Sequence, residues 1–301
     1  MIKVQNGGFI LIFENEDCTR LTGYEGGESV LDLSEYGSLT VIDRKAFLSC
    51  KILRKVILPA GIENVGEWAF SKCTNLQSVN IDRAVGVNLF GKGVFEGCDN
   101  LTEISFADTD KGLARLLALT TNRMSNDYLL RSSDLGQKTW YDKWDISLMS
   151  VLKLDSNNME ADFATGGEED LPFVGVGMVD GEMPDEGVDF FKGIEKNKCL
   201  LAYIRLMYDS YLSDSMREYL CDFIKERAFG CSPAYAFNTL NEECGGDIEY
   251  YKIYMDVVKP DKETINKMAQ SLNATLIQAK AFLIEQAAGG DEGSFFDDMM
   301  L

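Results

Sequence analysis

Cys50, Cys73 and Cys98 recur at intervals of 23 and 25 residues. Thiols in register could hold a metal or pair as disulfides. A chelating knuckle needs two cysteines only two to four residues apart, and eight cysteines in 301 residues are too few for a disulfide scaffold. Cys221, Cys231 and Cys244 are also too widely spaced, and read as buried free thiols. Asp155-Ser156-Asn157-Asn158-Met159-Glu160 starts like a calcium loop. It then puts Met159 and Glu160 where an EF-hand needs an oxygen ligand and a glycine. Gly86 to Gly91-Lys92-Gly93 approaches a phosphate-binding loop but lacks the hydroxyl residue, and reads as a two-residue expansion of a repeat. There is no histidine, which removes Ser-His-Asp and Cys-His catalysis and every imidazole zinc site. It also removes the usual general base near neutral pH. Among 49 acidic residues chance pairs are certain, and no pair is singled out by its context. No catalytic residue, metal or cofactor is expected. The alternative is a carboxylate-dependent enzyme at the domain junction, which requires a deep pocket around a buried, perturbed acid.

The first three cysteines are positioned by a repeat running from Leu39 to Phe106. Its phrases are Ala46-Phe47-Leu48-Ser49-Cys50 before Leu53, Val56 and Leu58; Ala69-Phe70-Ser71-Lys72-Cys73 before Leu76, Val79 and Ile81; and Val94-Phe95-Glu96-Gly97-Cys98 before Leu101, Ile104 and Phe106. A period in the twenties with leucines at fixed offsets marks a solenoid. Each Leu-x-x-Val-x-Ile predicts a short strand with alternate residues inward. Stacked coils then pair in parallel about 4.8 Å apart. Phe47, Phe70 and Phe95 are expected to form one internal ladder, and the three cysteines another. Asn75 and Asn100, each before a strand leucine, suit a turn whose side-chain amide bonds neighbouring backbone. Upstream, Phe9–Phe13 is a strand candidate and Glu25-Gly26-Gly27 a turn. Setting Leu31 and Leu33 against Val56 and Leu58 makes Val30-Leu31-Asp32-Leu33 a degenerate first coil, as terminal repeats are expected to be.

Gly23-Tyr24-Glu25-Gly26-Gly27 leading to Val30-Leu31-Asp32-Leu33, then Val41-Ile42-x-x-x-Ala46-Phe47-x-x-Cys50 and the two coils after it, resembles the BspA-type leucine-rich repeat. The resemblance covers roughly the first 108 residues. It implies a solenoid that presents a protein-interaction surface, in a family with many members on bacterial or protist cell surfaces.

After Asp108 the period changes from two to that of a helix. Lys111–Thr120 reads as a short apolar helix capped by Thr109 or Asp110 and closing the open end of the solenoid. Trp140–Leu154 is a second, with Trp140, Trp144, Leu148 and Leu152 on one face. Residues 155–191 form an acidic insert with eleven Asp or Glu and no Lys or Arg; Val174, Val176 and Met178 suggest an extended segment within it. Residues 195–287 read as five antiparallel helices joined by short turns. Ser215-x-x-Glu218 is a capping box, Gly230 a stop and Ser232-Pro233 a start. The tyrosines at 203, 208, 211, 219, 250, 251 and 254 read as core. The tail from Gly289 mixes Asp291, Glu292, Asp297 and Asp298 with Phe295-Phe296 and Met299-Met300-Leu301: a frayed end, or an acidic-hydrophobic docking peptide.

A net charge of −20 repels nucleic-acid phosphates and anionic membranes, so neither is an expected partner. The apolar run Phe9–Phe13 is too short for a secretory signal, and no stretch approaches a membrane span. The expected location is cytoplasmic, with the cell surface as the alternative if a leader is missing. The expected fold class is α+β: a short leucine-rich-repeat solenoid with a parallel sheet over 1–108, a helical domain over 109–288, and an acidic tail over 289–301. The expected function is non-catalytic binding of a protein partner, with a surface adhesin as an alternative. The candidate face is the outward side of the strands: Val30, Asp32, Lys55, Ile57, Ser78, Asn80, Glu103 and Ser105. Val30 and Ile57 would mark a contact patch if exposed together.

Overall fold

Apolar alternation in each coil folds as a stack of parallel strands. The computed structural model describes residues 1–85, 89–154, 185–228 and 234–289. Strands β4 (Val30–Asp32), β6 (Lys55–Leu58), β8 (Ser78–Ile81) and β9 (Glu103–Phe106) form one sheet in that order, all parallel. Leu31 pairs with Val56, Val56 with Val79, and Val79 with Ile104; all four are buried. The degenerate first coil is present, and Leu33 extends it by donating its N–H to the Ile57 carbonyl.

A second sheet, in the order β1-β2-β3-β5-β7, was only partly legible. Its members are β1 (Ile2–Asn6), β2 (Phe9–Phe13), β3 (Arg20–Gly26), β5 (Val41–Ile42) and β7 (Asn64–Val65). The first three pair antiparallel, and β3 then runs parallel to β5. The N-terminal hairpin therefore occupies the first edge of the stack, where an unpaired strand would otherwise face water.

Between the sheets lie the ladders. The Phe47 and Phe70 rings stack at 4.8 Å and 5°, and Phe70 and Phe95 at 5.8 Å and 18°. Tyr24 of the hairpin extends the row, 5.4 Å from Phe47. The backbone of each Ala-Phe turn bonds the next coil: the Phe47 N–H donates to the Ala69 carbonyl and the Phe70 N–H to the Val94 carbonyl. The Cys73 thiol donates to the Phe47 carbonyl and the Cys98 thiol to the Phe70 carbonyl, both at 3.1 Å. Asn75 and Asn100 likewise reach the previous coil, donating to the Lys51 and Thr74 carbonyls at 2.7 Å. Their amides tie coil to coil rather than closing a local turn. Coils pack so closely that a Cβ on Gly91 would lie 2.5 Å from the Glu67 amide nitrogen.

The chain divides into two compact units, Met1–Val151 with Tyr208–Leu212, and Leu152–Met207 with Ser213 onward. The first unit thus continues past the last strand. Helix α1 (Lys111–Asn122), capped by Asp110 accepting from the Leu113 amide, packs on β9. Arg115 donates to the Thr102 carbonyl and Asn122 to the Leu101 carbonyl. Helix α2 (Lys138–Leu152) buries Trp140, Trp144, Leu148 and Leu152. Its indoles donate to the Leu129 and Leu116 carbonyls.

The second unit contains α3 (Asp185–Met207), α4 (Asp214–Glu226), α5 (Tyr235–Glu243), α6 (Ile248–Val258), α7 (Lys262–Ser271) and α8 (Ile277–Ala288). Helix α3 is the hub, touching α4, α5 and α6, while α7 packs on α8. The cap of α4 is Ser213, not Ser215: Ser213 has extended backbone and its hydroxyl accepts from the Met216 amide, whereas Ser215 already lies inside the helix. Tyr203, Tyr250, Tyr251 and Tyr254 are core, Tyr208 and Tyr219 are half-buried, and Tyr211 is exposed. Glu195 binds Lys198 at 2.5 Å and Arg227 at 2.8 Å, with all three side chains largely buried. Burial opposes the Glu195 charge, but the hydrogen bonds and charges of Lys198 and Arg227 outweigh it and hold the carboxyl below its usual range. The loop at Asp155–Glu160, the insert through residue 184, Gly86, Gly230, Ser232-Pro233 and the tail from 290 lie outside the described residues.

Candidate functional site

Parallel register decides which outward side chains become neighbours. One row across the sheet is Val30, Lys55, Ser78 and Glu103; the next is Asp32, Ile57, Asn80 and Ser105. All eight candidate residues therefore sit on one face of one sheet. Val30 is 52% exposed, and Asp32 and Glu103 are exposed too. Lys55, Ile57, Ser78, Asn80 and Ser105 are half-buried by their row neighbours. Val30 and Ile57 stand on adjacent strands but in different rows, so they are diagonal rather than paired.

The polar centre of this face is Asn80. Its amide donates to the Ser105 hydroxyl at 2.8 Å. Its carbonyl oxygen is buried without a hydrogen-bond partner, which leaves an acceptor unsatisfied on the sheet. Asp32 accepts from the Ser34 hydroxyl and amide, and these bonds hold its carboxyl below the usual range. The face thus combines one exposed aliphatic side chain, two carboxylates, one lysine and the half-buried Asn80 amide. These groups suit peptide-like recognition.

On the opposite, turn-bearing side stands Trp68, which reading the sequence for reactive residues did not single out. Its backbone is left-handed (φ 54°), its ring lies 4.6 Å from the Arg44 guanidinium carbon, and its indole donates to Glu96 at 3.2 Å. The signal was there in the aligned coils: the third coil has Gly93 at this place, also left-handed. Beside Glu96 lies a cleft of about 290 Å³, lined also by Lys92, Gly93, Thr121, Ser125 and Asp127. Burial pushes the Cys73 thiol up to about 12 and Cys98 higher still.

Residues 28–114 match the BspA type leucine rich repeat region, in six copies. This part of the chain is a BspA-type leucine-rich repeat. The helices after α1 lie outside the match. Among solved structures, a leucine rich cell surface protein from Faecalibacterium prausnitzii A2-165 is 24% identical over 35% of this chain, with a TM-score of 0.28. The chain spans only 32% of that protein. A leucine-rich repeat protein from Bacteroides capillosus ATCC 29799 is 26% identical over 35% of this chain and 88% of its own, again with a TM-score of 0.28. No curated protein matches. Among the described residues no helix is long and apolar enough to cross a membrane, and no cluster of His, Cys, Asp and Glu is arranged to hold a metal.

Proposed function

We propose that this leucine-rich repeat is a non-catalytic docking module whose four-stranded sheet face receives a protein partner. The observation that carries the reading is the registered double row of Val30, Asp32, Lys55, Ile57, Ser78, Asn80, Glu103 and Ser105. Solenoids use such extended faces for binding. Val30, exposed on the edge strand β4, supplies apolar area without a cost to folding.

Affinity capture with the parent protein and with Val30→Asp and Asn80→Asp variants tests the reading. Quantitative mass spectrometry would compare the captured species. A partner retained by the parent, and by a Lys138→Glu control on α2, should be lost at least about tenfold with either face variant, since one buried interface charge costs more than about 1.4 kcal/mol. Identical capture by folded face variants refutes the sheet-face reading.

A further inference from the structure

The helical unit holds a groove of about 560 Å³ that the docking role of the solenoid does not use. Helix α4 contributes Arg217, Cys221 and Lys225, four residues apart and therefore on one face. The last turns of α6 contribute Ile253, Val257 and Val258, then Lys259, while Leu206 of α3 adds a further apolar side chain. Asp256 is the one carboxylate of the lining. The lining carries three cations and one carboxylate, with Asp222 beside Lys225 just outside it, so positive charge still leads locally in a chain whose net charge is −20. Lys225 also bonds Asp222 at 3.0 Å, with both side chains about half exposed. Such a surface pair contributes little and exchanges readily.

We propose that residues 290–301 of the same chain dock in this groove. The segment carries Asp291, Glu292, Asp297 and Asp298 with no Lys or Arg, and it places Phe295, Phe296, Met299, Met300 and Leu301 among them. Its carboxylates complement Arg217, Lys225 and Lys259; its large apolar side chains complement Leu206, Ile253, Val257 and Val258. Geometry places its start nearby. Helix α8 ends at Gly289, where an added Cβ would stand 3.0 Å from the Lys262 ammonium. Lys262 follows the groove residue Lys259 by three positions, so the two Cα atoms are at most about 11 Å apart. Twelve residues reach up to about 40 Å when extended. Tethering holds the segment at an effective concentration near the millimolar range, so even weak affinity fills the groove.

Cys221 is half-buried in the lining and reports occupancy. The experiment is site-resolved alkylation of the full chain, read by mass spectrometry. Replacing Phe295 and Phe296 together by Ser should speed modification of Cys221 at least about threefold, as expected for release of a tethered ligand of weak affinity. Cys18, in the other unit, should react at an unchanged rate. Lys259→Glu should act in the same direction through charge, as should added salt. The Phe295/Phe296 variant alters no residue lining the groove, so loss of folding does not confuse its result. Equal Cys221 rates in parent and Phe295/Phe296 variant overturn the proposal. Protection that disappears on dilution also overturns it, by assigning the groove to a second copy of the chain.

Discussion

Lys72 occupies a backbone conformation that suits glycine, and replacing it should stabilise the protein. In the three aligned coils Ser49, Lys72 and Gly97 sit at one place in the turn, with φ of 59°, 60° and 72°. A side chain in the left-handed region costs about 1–2 kcal/mol through its Cβ and the following carbonyl. Glycine relieves this but gains freedom in the unfolded chain, which opposes the benefit by about 0.5–1 kcal/mol. Lys72 is exposed, so little side-chain contact is lost. The net expectation for Lys72→Gly is a gain of about 0.5–1 kcal/mol. The reverse change, Gly97→Lys, should cost a similar net of about 0.5–1 kcal/mol. Urea unfolding followed by tryptophan fluorescence reads the right unit, because Trp68, Trp140 and Trp144 all lie in the first one. Lys55→Gly on strand β6 is the control and should destabilise, since it introduces glycine into extended backbone. If Lys72→Gly lowers the midpoint as Lys55→Gly does, the turn conformation is not what limits stability there.

Two further outcomes follow from the same structure. Glu195→Gln should cost about 3–5 kcal/mol by leaving the buried Lys198 ammonium short of a counter-charge, read by far-ultraviolet circular dichroism during urea unfolding. Because the Glu195 carboxyl lies below its ordinary value in the folded state, its contribution is complete above about pH 4.3 and is lost as pH falls through the folded value. The variant should therefore lose less stability than the parent on acidification. Gly91→Ala should cost about 1–3 kcal/mol as an overpacking change, because its Cβ meets the Glu67 and Gly66 backbone rather than a movable side chain. Gly27→Ala, with open space around the position, should be near neutral in urea unfolding.

The repeat was legible because its periodicity is a packing rule written many times over. Phe47, Phe70 and Phe95 had to stack once their offsets from the strand leucines matched, and the register of β4, β6, β8 and β9 followed. Residues 1–38 read as strands and turns, but the pairing of Ile2–Asn6 with Phe9–Phe13 was not legible, because Ile2 and Val4 give too short an alternation to name a partner. The eight face residues could be chosen from alternation alone. Their grouping into two rows could be stated only once the strand register was known.

Composition and spacing by themselves determined that this chain builds a solenoid with core ladders of phenylalanine and cysteine, lacks imidazole chemistry, and turns helical after Asp108. These are local properties: each coil repeats the same side-chain volumes at the same offsets. Only the tertiary structure decided that α1 and α2 belong with the repeat, that α3 is the hub of the second unit, and that the Asn80 oxygen is left without a partner. It also decided that Arg217, Lys225 and Lys259 line one groove. Those outcomes depend on contacts between residues far apart in the chain, and helical periodicity specifies which face of a helix is apolar but not which neighbour will cover it.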